Sequence, residues 1–288
     1  MIRVNRLKLF LIVFFCIILG IVLGLIYSKI AKKECSPFPH FPEKYKYKVI
    51  LTSEKQAEFK KLAGRYPKRE APKTLILCFN DEVLNNILSK ESHEKYFGIN
   101  YLNDYPGVAI ASFGMTAPLT AMRLDKYIEW GIKKVIAIGT CCSLQKFVKP
   151  GDIVVCNKAL RDEGTSHHYL PYSRYAYPSK DLVDKLIHVL NEMKLKYIVG
   201  PTLTTDGFYR LTKEEVAYYQ KEGILTLEME AAALFAVAEY RKIEMATLFS
   251  PTDSYANLKW EKAQGYEEKK LQTLNTLFEV ALKVATVK

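Results

Sequence analysis

With 288 residues, 49% of them hydrophobic, the chain is long enough to bury a sizeable core as one large domain or two small ones. The formal net charge of +11 would suit a nucleic-acid binder, but nine Lys/Arg against two acids fall in residues 1–48, and the remaining 33 basic and 29 acidic residues nearly cancel. That distribution argues against nucleic acid as a partner and assigns the basic excess to a membrane surface.

Leu9 to Tyr27 is nineteen residues without a charge, enough to cross a hydrocarbon core of about 30 Å as a helix. Basic residues precede it, as in a secretory signal, yet Ser28-Lys29-Ile30-Ala31-Lys32-Lys33 offers no small-x-small cleavage site. An uncleaved single-pass anchor is therefore expected, and the six lysines that follow it point the globular part to the cytoplasm. The expected organisation is an anchor with basic flanks over residues 1–33, a tether with a short helix over 34–72, and a catalytic domain over 73–288. Pro37, Pro39 and Pro42 mark the tether as extended, and Glu54 to Leu62 as its amphipathic helix.

Past Pro72 the rhythm becomes regular. Apolar runs of strand length at Thr74–Phe79, Val108–Phe113, Val135–Ile138, Ile153–Cys156, Tyr197–Thr204 and Met245–Phe249 alternate with helical stretches. The helices are expected at Glu82–Leu88, Ala117–Trp130, Lys180–Met193, Lys213–Gln220 and about Trp260–Val284. Strands that end in glycine and alternate with helices predict an α/β fold around a largely buried sheet, with ligands collecting at the carboxyl ends of the strands. Cys16, Cys35, Cys78, Cys141, Cys142 and Cys156 have neither metal-ligand spacing nor disulfide-framework density, so no metal site is expected.

The chemically unusual residues stand at those strand ends. Leu225–Tyr240 (LTLEMEAAALFAVAEY) turns from a β-rich lead-in to an Ala-rich helix with Glu228 and Glu230 flanking Met229. Acids at such an apolar junction need fixed donors or a hydroxyl-rich ligand such as a ribose, and capping of the helix start would also satisfy one of them. Gly114-Met115 and Gly139-Thr140 follow apolar strands, where freed backbone amides can hold an anion or a hydroxyl-rich ligand. Phe208, after the turn Thr205-Asp206-Gly207, could stack on a flat base or simply pack. Asp253 is a candidate general acid, since a shielded carboxyl keeps its proton for a leaving base; a loop aspartate can equally cap a helix.

In combination these stretches resemble the nucleoside phosphorylase superfamily of the purine nucleoside and uridine phosphorylase type, which includes nucleosidases. The resemblance covers about Thr74–Val284 and rests on IASFGMTAP (Ile110–Pro118), IGTCCSLQKFVKPGDIVV (Ile138–Val155), RDEGTSHHYLP (Arg161–Pro171), TTDGFYR (Thr204–Arg210) and LEMEAAALFAVAEY (Leu227–Tyr240). It implies a central mixed sheet flanked by helices and cleavage of a nucleoside's N-glycosidic bond, with inorganic phosphate as co-substrate and no cofactor. By the same likeness Glu230 would bind ribose hydroxyls, with Met229 lining the sugar and Phe208 stacking on the base. His168, Arg210 and Glu228 would join them in substrate binding, and Gly114, Met115, Gly139 and Thr140 would surround phosphate. Asp253 matches the acid that protonates a purine, whereas RDEGTSHHYLP looks more like the uridine side, so base preference is divided. A homo-oligomer with shared pockets is implied as well.

Three departures concern phosphate. The usual Gly-Asp-x-x-Arg loop is replaced by Phe79-Asn80-Asp81-Glu82-Val83, the position two before the Gly-Thr turn is Ala137, and the segment His93–Tyr96 that would lend an arginine to a neighbour carries only Lys95. The first loop resembles the nucleosidase branch, in which an acid directly before the valine activates water, and Glu82 occupies that place. Hydrolysis is the alternative to phosphorolysis on this account, and a membrane-tethered nucleoside receptor without catalysis is another.

Overall fold

The computed structural model describes residues 14–15, 17–22, 38–41, 44–262 and 265–286. The chain divides into two compact units, Met1–Lys46 and Tyr47–Lys288. In the first, Phe14, Phe15 and residues 17–22 are helical, and a 3-10 turn covers Lys44–Lys46. Most of the expected anchor Leu9–Tyr27, including Cys16, lies outside the described residues, as does Cys35. Among the described residues no helix is long and apolar enough to cross a membrane.

The second unit opens with α1 (Ser53–Leu62), capped by the Thr52 side chain, which accepts the Lys55 N–H at 3.3 Å. Then come β1 (Thr74–Cys78), α2 (Asp81–Leu88), β2 (His93–Tyr96), β3 (Ile99–Leu102), β4 (Val108–Ser112), α3 (Ala117–Trp130) and β5 (Lys134–Ser143). The middle of the chain forms β6 (Val154–Asp162), the short helical turn α4 (Ser166–Tyr169), β7 (Tyr175–Ala176), α5 (Lys180–Glu192) and β8 (Ile198–Thr205). The remainder is α6 (Lys213–Lys221), β9 (Thr226–Glu228), α7 (Ala231–Arg241), β10 (Glu244–Ser254), β11 (Glu261–Lys262) and α8 (Tyr266–Thr286).

All eleven of these strands belong to one mixed sheet. At its centre β1 runs parallel to β4 and β5, and every residue of its TLILC sequence is buried because helices cover both faces. β5 also pairs in parallel with β10, and the path β10-β6-β8-β9 returns to β5, so five strands close into a ring while β1, β4, β3 and β2 form a wing. One core cluster joins α3 and α7 to the sheet, and a second joins α2, α5 and α8 to the opposite face. Ala231 to Ala238 of α7 are all buried, which explains why that helix is written in alanine without a polar stripe.

The alternating strands and helices stand where the sequence puts them, with three differences. β5, β6 and β10 run past their apolar cores to Ser143, Asp162 and Ser254, because ring closure gives ladder partners to polar and small residues there. The hairpin of β2 and β3 was not expected: HEKY is exposed on an edge strand, and its turn is made by Phe97 (φ 53) and Gly98 (φ 85), both left-handed. The last helix begins at Tyr266 rather than near Trp260, since the intervening chain folds back as β11 against β10.

β10 contains one irregularity that matters below. Ser250 and Pro251 lie opposite Thr140 and Cys141, after which the register shifts and Asp253, not Thr252, lies opposite Cys142.

Candidate active site

The unusual residues stand at or just after the ends of β4, β8, β9 and β10 and within β5, with β8 and β9 running opposite to β4, β5 and β10. After β4 the backbone turns through Gly114 (φ 75) and Thr116 (φ 84, ψ 140) before α3 begins with Ala117-Pro118. A threonine in that region is strained, and the strain aims its N–H away from the helix. This N–H donates to Glu230 Oε1 at 2.6 Å, a contact between positions 114 residues apart. Glu230 Oε2 accepts the Met229 N–H at 3.2 Å. Each oxygen thus keeps capacity for a further donor, the requirement for gripping two vicinal hydroxyls.

Glu228 is differently placed. Its Oε2 accepts the N–H groups of Glu230 and Ala231, both at 2.7 Å, and its Oε1 accepts the Thr204 hydroxyl. Thr204 in turn accepts the Ala232 N–H at 3.0 Å. Of the two acids, Glu228 is therefore the one that caps α7 and ties it to β8, with all its bonds inside the protein. Met229 between them is half-buried. Both carboxyls are 5% exposed. Burial, and then the charge of Glu230, pushes Glu228 upward; burial raises Glu230 from 4.5 to about 7 against the pull of its two backbone donors.

On the neighbouring strand end, Phe208 is half-buried against the cluster that contains Cys142, Leu203 and Leu227, on which Tyr255 also packs. The preceding turn is fixed because Asp206 Oδ2 accepts the Gly164 N–H at 2.9 Å, which links it to the loop after β6. That loop is held by Arg161, whose guanidinium donates to Ser166 Oγ (2.9 Å), Pro171 O (2.8 Å), Ser173 Oγ (2.8 Å) and Leu170 O (3.1 Å). Glu163 accepts the Thr165 N–H at 2.6 Å and caps the same loop. His168 is exposed on α4, and Arg210 is exposed beyond Phe208. Sequence reasoning left Arg161 and Glu163 without a role; the buried bonding of both identifies them as the braces of this loop.

Asp253 Oδ2 accepts the Trp260 indole N–H at 3.1 Å, an arrangement set up by the β10–β11 turn. Asp253 also lies near the buried Cys142 thiol, which burial and then the Asp253 charge push up to about 12, so this cysteine is inert as a nucleophile. Trp260 gave no signal in the sequence, because its partner lies across a turn that no periodicity marks.

Gly139 and Thr140, on β5, line a cavity of about 40 Å³ together with Phe79, Asn80, Met115 and Leu274. The Phe79 ring lies 2.5 Å from where a Cβ on residue 139 would stand, so only glycine fits. Asn80 caps α2 by accepting the Glu82 N–H at 2.7 Å. The Glu82 carboxylate is 58% exposed and pairs with Lys270 Nζ at 3.0 Å. The structure thus joins Glu230, Met229 and Thr116 by hydrogen bonds after β9, places Phe208 after the adjacent strand β8, and puts Asp253 on β10, which β5 separates from β9; Gly139 and Thr140 of β5 line the cavity.

A sequence profile described as the phosphorylase superfamily matches residues 75–284. Guanosine phosphorylase from Halorubrum lacusprofundi is 29% identical over 172 residues, covering 60% of this chain and 69% of that protein. The DeoD-type purine nucleoside phosphorylase of Bacillus cytotoxicus is 28% identical over 191 residues, 65% of this chain and 80% of its own length. Among solved structures, purine nucleoside phosphorylase from Toxoplasma gondii superposes with a TM-score of 0.66 at 20% identity, covering 77% of this chain and 93% of that one. Uridine phosphorylase from Vibrio fischeri gives 0.60 at 24% identity, with 75% and 91% covered. At these identities the superpositions establish the shared α/β fold.

Proposed function

The chain belongs to the phosphorylase superfamily, and from that premise we propose that it is a nucleoside phosphorylase-like pentosyltransferase that cleaves a nucleoside by phosphorolysis. The C1′–N bond breaks with its electron pair leaving on the base, and a phosphate oxygen bonds to C1′ to give ribose 1-phosphate. Glu230 holds the sugar hydroxyls while Met229 lines the ring, so the developing oxocarbenium charge meets a carboxylate. Phe208 stacks on the base, Asp253 donates the proton that the departing base takes up, and His168 and Arg210 complete the base side. Gly114, Met115, Gly139 and Thr140 surround the phosphate. Glu228 keeps α7 in place and acts on the sugar only through Glu230.

The observation that carries this reading is the Glu230 carboxylate, oriented by the Thr116 N–H at 2.6 Å and the Met229 N–H at 3.2 Å yet left with acceptor capacity on both oxygens. Hydrolysis by water activated at Glu82 has less support, because that carboxylate is already engaged by Lys270. The test is incubation of the purified protein with inosine, uridine and methylthioadenosine, with and without phosphate. Free base and ribose 1-phosphate formed only with phosphate are expected. Turnover indifferent to phosphate would replace phosphorolysis by hydrolysis, and calorimetric binding without any cleavage would make the protein a receptor.

We also propose that Leu9–Tyr27 anchors the enzyme in a membrane with the catalytic unit on the cytoplasmic side, supported by its nineteen uncharged residues and the lysines behind them. Sedimentation of the full chain with membranes, lost on deletion of residues 1–33, tests it. A homo-oligomer is part of the same proposal, and light scattering of the purified enzyme showing a monomer would reject it.

A further inference from the structure

The cavity at Gly139-Thr140 offers backbone amides, a hydroxyl and the Asn80 side chain, but no arginine lines it. A dianion drawn into such a site needs a cation to offset the loss of its hydration. Two helices contribute to its lining. α2 contributes Asn80 and Val83, and α8 contributes Leu274. One turn before Leu274 on α8 stands Lys270, on the same helix face by the four-residue spacing. Its side chain is only 13% exposed, and its ammonium is 3.0 Å from Glu82 Oε2 in the first turn of α2. A bond of 3.0 Å between Asn275 Nδ2 and Asn86 Oδ1 holds the two helices together one turn further in. The ammonium thus stands one helical turn from the cavity-lining Leu274 and pairs with the residue next but one after the cavity-lining Asn80, a carboxylate that is itself 58% exposed and free to return to water.

We infer that Lys270 is the cation of the phosphate site, with Glu82 its counter-ion while phosphate is absent. This rests on the phosphorolysis reading above and adds to it a residue and a swap. Phosphate entering the cavity takes the ammonium from Glu82, whose carboxylate rotates into solvent. Glu82 then competes with phosphate instead of activating water.

The experiment varies phosphate at saturating nucleoside for wild type, K270M, K270R and E82Q, at constant ionic strength set with chloride so that screening does not differ. Loss of a charge-assisted bond in K270M is expected to raise the KM for phosphate about tenfold to a hundredfold while the KM for nucleoside stays within about twofold. K270R should recover part of the loss, and E82Q should lower the phosphate KM. The rise in Tm that phosphate alone gives the wild type should vanish in K270M. A phosphate KM in K270M within about twofold of wild type, or an undiminished thermal shift, overturns the inference. If K270M does not fold, E82Q decides, because phosphate affinity unchanged or weakened there is equally fatal. Wild-type turnover that ignores phosphate would sink the phosphorolysis reading. The thermal shift then judges Lys270 separately, and its absence from the wild type rejects the site.

Discussion

Replacing Glu230 by Gln separates what its carboxylate costs the fold from what it gives the reaction. Raised by burial from 4.5 to about 7, the carboxyl is harder to ionise in the folded chain, and at about 1.4 kcal/mol per pH unit this amounts to about 3 kcal/mol of stability lost by ionising it. The sign follows from linkage: the folded state binds the proton more tightly than the unfolded one, so stability is full below pH 4.5 and is lost as the pH rises towards 7. Gln removes this loss. It can still accept the Thr116 N–H, but its amide group would face the Met229 N–H donor to donor, giving back about 1–2 kcal/mol. E230Q should therefore be more stable than wild type at pH 8 by about 1–2 kcal/mol, a rise in Tm of roughly 2–8 °C, and should show a flatter stability curve between pH 5 and 8. Meanwhile kcat/KM should fall by about a hundredfold or more, since two hydroxyls lose a charged acceptor at about 1.5–3 kcal/mol each. Calorimetric melting across pH together with steady-state kinetics reads both. An E230Q protein that is less stable at pH 8, or whose pH slope equals that of wild type, would refute the reasoning, and so would retained activity.

Asp253→Asn keeps the acceptor for the Trp260 indole but removes the proposed proton source, and should slow purine nucleoside cleavage at least about tenfold; near-normal turnover would remove its role as the acid. Gly139→Ala places a methyl 2.5 Å from the Phe79 ring, and urea melts should show a loss of about 1–3 kcal/mol. Arg241→Met removes the guanidinium shared by Asp125 (2.7 Å), Glu129 (3.0 Å) and Glu54 (2.9 Å), leaving crowded acids. It should cost about 3 kcal/mol and expose α1 to limited proteolysis, whereas an unchanged digestion pattern would show that α1 is held by its apolar contacts alone.

The central strands were legible because β1, β4 and β5 are buried on both faces and so read as unbroken apolar runs. The ends of β5, β6 and β10 were not, since there a strand is defined by its ladder partners and carries Thr, Cys, Lys, Arg and Asp. Glu228 and Glu230 illustrate the same limit at the site. Two acids one residue apart look equivalent in sequence, and only the position of Thr204 on the next strand makes one a cap and leaves the other acceptor capacity. Lys270 was invisible for a similar reason: it is one of four charged residues in the run Glu267–Lys270, distinguished only by facing α2.

The register shift at Thr252 means that the identity of the group beside Cys142 is decided by chain length, not by side-chain chemistry. Were β10 to zip up without its extra residue, a hydroxyl would take the acid's place while Met245 to Phe249 kept their orientation. A descendant of this chain could thus gain or shed a carboxyl at this place by a slip of one position in the backbone, leaving its core untouched.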